Sequence, residues 1–225
     1  MGLLNTILGR TKPVQSNLDA LFALPSASIT LQSASGMSCS GNGGVCFKPP
    51  SGQAFEEMQA EVVKLLTMDG DRAGGGAGGG AGGLRKAEDS YGYHWLVVED
   101  ADIGELVTKI HLVNSSLADA GWGPQLLCSV FGLAQLPTEA EGSESPEAEL
   151  QAGPGTVLAS TAYLVYLFKR GTFYPFVPQG HEKRDTEQEL KLKSLIADDL
   201  VVETDLDRAV SALVADGHTV WEAPH

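Results

Sequence analysis

Apolar positions recur at helical spacing along much of the chain. Leu3, Leu4, Ile7 and Leu8 share one face of a predicted amphipathic amino-terminal helix over residues 1–12. Ser16 with Asp19 three residues later reads as a cap for a short helix carrying Leu18, Leu21 and Phe22. Phe55, Met58, Val62, Leu65 and Leu66 mark another helix. Ile103, Leu106, Val107, Ile110, Val113 and Leu117 mark a longer one, which Gly121 is expected to end. Two more helical stretches, Thr186–Leu200 and Thr204–Ala215, close the chain.

Other stretches alternate or run apolar, as strands do. Ile29 with Leu31, and Val45 with Phe47, read as short strands around the turn-rich Ser35–Gly44. Tyr91–Val98 and Gln125–Leu133 flank the long helix. Thr161–Phe168 and Thr172–Phe176 are separated by Lys169-Arg170-Gly171, a compact hairpin signal. Pro175 and Pro178 would remove ladder donors, so the second arm is expected at an edge. This order predicts one α+β domain, with a mostly antiparallel sheet of about five strands packed with helices.

Two segments depart from that text. Residues 74–83 are glycine and alanine alone, and 138–155 hold five glutamates and no basic residue. Neither can repay the backbone entropy of ordering, so flexible inserts are expected at 70–88 and 137–156 within a 13–225 domain. The glycine run lacks a GK[ST] ending, which argues against a phosphate-cradling loop.

Charge narrows the partners. The 225 residues carry 15 Lys+Arg against 29 Asp+Glu, a net −14, which disfavours nucleic acid. Three cysteines without CxxC spacing fit neither a disulfide framework nor a zinc ribbon and suggest a reducing, cytoplasmic setting. No stretch reads as a bilayer helix or a cleavable signal.

Catalytic motifs are absent: no HExxH, GxSxG, Walker loop or CxxC occurs. The five histidines share no ligand spacing, so neither a metal nor a cofactor is expected. Cys128 alternates in an apolar strand as a small core residue. Cys39 and Cys46 flank glycine-rich turn text, where a reactive thiol would need a nearby base, cation or helix start.

Two features point to association instead. Residues 1–12 join the four aliphatics to Arg10 and Lys12 with no acid, the pattern of a short interfacial anchor. Burying each aliphatic is worth at most ~1.5–3 kcal/mol, while ordering costs ~1–2 kcal/mol per residue, so such a helix binds weakly unless preformed or assisted. Packing on the protein's own core is its competing role. The second feature is Lys169 and Arg170 at the hairpin turn beside Phe173 and Tyr174, a candidate partner-docking patch reinforced by Lys183, Arg184, Lys191 and Lys193. Interleaved Glu182, Asp185, Glu187 and Glu189 dilute it.

Longer segments carry a resemblance. MGLLNTILGRTKP, SNLDALFALPSASITLQ, YGYHWLVVED, NSSLADAGWGPQLLCSVFGL and YLVYLFKRGTFYPFVP resemble the actinobacterial PspAB family over most of residues 1–200, the two inserts apart. The resemblance implies a link to PspA-type phage-shock proteins and to an HtpX-like membrane protease. It therefore implies an envelope stress role at the inner face of the cell membrane, and it brings no catalytic residues.

Three functions follow as expectations. The first is a non-enzymatic adaptor or regulator using residues 1–12 and the 163–176 hairpin as contact surfaces. The second is a small-molecule-binding domain with a pocket on the aromatic sheet face near Tyr93, Trp95 and Tyr166. The third is a thiol enzyme using Cys39 or Cys46. Aromatic strands and an exposed edge permit a homodimer without requiring one.

Overall fold

The computed structural model describes residues 16–48, 60, 62, 64, 84–89, 91–136, 161–179 and 183–204. A 3-10 turn, Leu18–Ala23, runs directly into helix α1, Leu24–Ser35. Strands β1 (Met37–Phe47), β2 (Leu84–Glu88) and β3 (His94–Glu99) precede helix α2, Ile103–Leu117. Strands β4 (Leu126–Gln135), β5 (Ala162–Leu167) and β6 (Thr172–Phe176) precede helix α3, Thr186–Ile196. The fold is α+β, with one sheet ordered β2-β3-β1-β4-β5-β6 and every neighbouring pair antiparallel.

Six strands replace the expected five, because Leu84–Glu88, assigned by sequence to the first insert, pairs with β3. The expected strand at Ile29/Leu31 is corrected to helix. Pro25 opens α1, where its missing N–H costs nothing. Leu21, Leu24, Ala27 and Leu31 then fall on one buried face, while Ile29 is 70% exposed. Gly36 ends the helix at φ +69°, its N–H donating to Gln32 O at 3.0 Å. The cap read at Ser16 is also corrected: Asn17 precedes the 3-10 turn, with no side-chain cap bond.

The supposed turn at Ser35–Gly44 is mostly β1. Gly43 serves helix packing, since a Cβ there would lie 2.6 Å from Ile110 Cδ1 and 3.0 Å from Val130 O. Only glycine lets α2 come that close to β1. Between Cys39 and Gly43 the register with β4 shifts through a bulge. Asp102 caps α2 by accepting from Glu105 N at 2.9 Å, and the chain turns away at Gly121, φ +89°.

Helices α1, α2 and α3 cover one face of the sheet, with α1 between the other two. That core gathers Leu21, Leu31, Val45, Leu96, Leu106, Ile110, Leu164, Tyr166, Phe173 and Ile196, among others. Asn114 of α2 is buried within it and donates from Nδ2 to Ile110 O and to Ser129 Oγ of β4, both at 2.8 Å. The Ser129 bond ties the helix to the sheet. The opposite face carries a second buried cluster of Cys46, Tyr93, Cys128, Val130, Tyr163, Val165, Leu167 and Tyr174. Strand β5 is therefore buried on both sides, which explains its unbroken apolar run.

The amino-terminal helix (Leu3, Leu4, Ile7, Leu8, Arg10, Lys12), the glycine-rich and glutamate-rich runs and the 204–215 helix beyond Thr204 lie outside the described residues. Of the 55–66 helix, Ala60, Val62 and Lys64 are described and are helical, with Val62 in the core.

Candidate functional site

The β5–β6 turn forms as its sequence requires. Arg170 N and Gly171 N both donate to Leu167 O, at 3.1 and 2.8 Å, and Gly171 takes φ +66°, which its missing Cβ allows. Lys169 and Arg170 are thereby held at the surface. Phe173 and Tyr174 are not: they are 0% and 2% exposed and lie in the two cores, one on each face of the sheet. Their place in a docking patch is corrected by the strand's alternation, which turns adjacent side chains to opposite, buried faces.

Arg170 already has a partner. Residues 201–203 lie beside β6 through a parallel bridge between Phe173 and Val202. Phe173 N donates to Val201 O at 2.8 Å, and Glu203 N donates to Phe173 O at 2.7 Å. This strap brings Glu203, 3% exposed, to within 3.0 Å of Arg170 Nε, and Thr172 Oγ1 donates to the same carboxylate oxygen at 3.0 Å. Upstream, Thr30 and Ser26 of α1 donate to Asp199 at 2.7 and 3.1 Å, which fixes where the strap begins.

Arg184 and Lys191 of the basic segment also have carboxylate partners. Arg184 Nε lies 3.4 Å from Glu189, a buried carboxylate that also accepts from Val177 N at 3.1 Å. Burial pushes the Glu189 carboxyl above its ordinary range, against the lowering effects of the Val177 N–H and Arg184. Lys191 pairs with Glu187 at 2.8 Å across one helical turn. Of the basic patch read from sequence, Arg170, Arg184 and Lys191 each lie beside a carboxylate, while Lys169, Arg170, Lys183 and Lys191 are exposed.

Cys46 and Cys39 sit where burial disfavours the thiolate. Cys46 and Cys128 are cross-strand partners in β1 and β4, both buried and free. Their contact and their burial raise the Cys46 pKa, and burial raises that of Cys39. The aromatic pocket is not assembled. Tyr93 and Trp95 belong to one face of the sheet, whereas Tyr166 lies on the other, donating its hydroxyl to Asn17 O at 2.7 Å. Burial, with the Asp19 charge, pushes that phenol up to about 12.

His94 lies 3.7 Å from Glu88, and His111 lies 3.9 Å from Asp19 with its ring 4.8 Å from that of Phe22, tilted by 40°. Among the described residues no three His, Cys, Asp or Glu side chains come together as a metal site. Nor is any described helix long and apolar enough to cross a membrane.

Sequence reasoning missed Glu189 and Glu203, the two carboxylates that organise this region. Glu189 had a signal: with Leu192 and Ile196 it continues a helical stripe, so it lies on the face α3 buries. Glu203 had none, because its partner is 33 residues away in sequence at Arg170.

No curated protein and no solved structure matches the chain. A family model described as PspA associated protein B does match, over residues 1–213, which takes in both sheet edges, the α1–α3 layer and the 201–203 strap. The chain belongs to the PspAB family.

Proposed function

We propose that this chain is a non-enzymatic adaptor or regulator that associates with a PspA-type protein in a phage-shock, membrane-stress response at the cytoplasmic face of the cell membrane. The family match carries this reading, because the family's own description is association with PspA. The geometry supports association over chemistry. Its buried carboxylates Glu203 and Glu189 lie beside Arg170 and Arg184, and the Cys46 thiol is buried with a raised pKa. An HtpX-like membrane protease is a second candidate partner by resemblance.

Contact is assigned to residues 1–12, whose aliphatics and Arg10 and Lys12 suit an anionic membrane surface, and to Lys169 at the exposed turn. Flotation with anionic vesicles tests the first, using the full chain and a version lacking residues 1–12, each with and without the PspA-type protein. Flotation that needs residues 1–12 or the partner supports the proposal. Absence of flotation in every arm, together with no capture of the PspA-type protein, overturns it. Lys169→Glu tests the turn without disturbing the Arg170–Glu203 pair, and it should weaken capture.

A further inference from the structure

Helix α1 and the turn before it carry a second stripe besides the one they bury. Leu21, Leu24, Ala27 and Leu31 are buried, and Phe22, Ser26, Ile29 and Ser33 recur at helical spacing on the opposite side. All four are exposed, Phe22 at 51% and Ile29 at 70%. They mark the outward face of the middle helix in the α2–α1–α3 layer.

Three properties suit this stripe to a protein contact. The chain is 20% charged with a net −14, yet α1 holds no charged residue from Leu24 to Ser35. The serine hydroxyls are satisfied within the chain, Ser26 Oγ donating to Asp199 at 3.1 Å and Ser33 Oγ to Thr30 O at 3.0 Å. Covering them therefore strands no donor. The third property is the order of sizes along the stripe, which runs large, small, large, small.

That order is self-complementary when the helix is reversed. We infer that α1 packs against α1 of a second copy of this chain, antiparallel about a two-fold axis between Ala27 and Ser28. In that register Phe22 faces Ser33 of the second copy, and Ile29 faces Ser26 of the second copy. Every large side chain meets a small one, and the symmetry repeats each contact.

Other arrangements of the same stripe fit less well. A parallel pair sets Phe22 against Phe22 and Ile29 against Ile29, with voids between facing serines. Moving the antiparallel axis to Ile29 sets Ile29 against Ile29, and moving it to between Pro25 and Ser26 sets Phe22 against Ile29. Asp199 beside the stripe and the net −14 of each copy oppose the contact. A single helix pair also buries less than the ~1,200–2,000 Å² of a standard interface. Association is therefore weak and depends on concentration.

Sedimentation velocity of the full chain over a concentration series tests this. The expected mass rises from 23.6 kDa toward twice that value. Ile29→Lys should abolish the rise. It removes a large apolar side chain and makes the chain less negative, so added repulsion cannot explain the loss. Cross-linking tests the register, in a Cys39→Ser background with oxidised glutathione as the thiol oxidant. A mixture of the Phe22→Cys and Ser33→Cys variants should form a disulfide-linked pair. Either variant alone should not, because like positions then lie about 16 Å apart along the helix axis, beyond disulfide reach. A mass fixed at 23.6 kDa throughout overturns the proposal. So does association that survives Ile29→Lys while the variant keeps the native circular dichroism. A mixture that cross-links no better than either variant alone overturns it as well.

Discussion

The Arg170 guanidinium lies 3.0 Å from the buried Glu203 carboxylate, so the β5–β6 turn and the 201–203 strap are one structural unit. Removing the arginine takes the cation from a carboxylate that is 3% exposed and also accepts from Thr172. Arg170→Ala should therefore cost about 1–3 kcal/mol, the loss of a charged donor to a buried acceptor, discounted because the arginine itself is partly exposed. Urea unfolding measures this, and Glu203→Gln in the Arg170→Ala background should recover part of the loss. Full stability in Arg170→Ala would mean that the pair is not what holds the strap.

Glu189 should make stability fall as pH rises. Its carboxyl is raised in the folded state, so the native protein holds the proton to higher pH than the unfolded chain. The favourable contribution is complete below the ordinary carboxylate range and is lost as pH climbs through the raised value. Glu189→Gln keeps an acceptor for Val177 N and does not titrate. The variant should gain stability relative to the parent as pH rises above the ordinary carboxylate range, as read from denaturant midpoints at each pH. A difference that stays constant would contradict the burial argument.

Gly43→Ala should destabilise by about 1–3 kcal/mol through overpacking. The new Cβ would sit 2.6 Å from Ile110 Cδ1. Shortening that side chain relieves part of the clash, so Gly43→Ala should cost less in an Ile110→Val background than alone. Strict additivity in thermal unfolding would count against this contact.

Cys46 and Cys128 should be silent toward a disulfide reagent such as Ellman's in the native protein and should react on unfolding. Cys39 is only partly buried and should react slowly, since its thiol is also raised. Rapid native labelling of Cys46 would revive the thiol-enzyme reading.

Tyr166→Phe should cost about 0.5–1.5 kcal/mol, the net worth of the hydrogen bond to Asn17 O. In a spectrophotometric titration it should also remove a phenol that ionises late, near pH 12. Loss of an ordinary, early-titrating phenol instead would place the Tyr166 hydroxyl in water.

Some elements were legible because their signals are local. The α2 stripe from Ile103 to Leu117 repeats at helical spacing, and Gly171 with the basic turn marks the hairpin; both stand where expected. Pro175 placed β6 at the edge of the six-stranded sheet. Ile29 and Leu31 misled because two apolar residues one apart suit a strand as well as a helix, and only the longer Leu21-Leu24-Ala27-Leu31 spacing distinguishes them. Leu84–Glu88 follows the glycine run and shows little β preference, so only the pairing with β3 makes it a strand.

The candidate site divides the same way. Exposure of Lys169 and Arg170 followed from a turn, a local property. The burial of Phe173 and Tyr174, the separation of Tyr166 from Tyr93 and Trp95, and the pairing of Arg170 with Glu203 depend on which strands lie side by side. By itself, the sequence determined the α+β class, the long helix, the hairpin, the acidic balance and the family, since composition and short-range periodicity suffice for these. Tertiary structure decided which charges are paired and which aromatics are core. Each depends on residues far apart in the chain, whose distances are set only when the sheet closes against its helices.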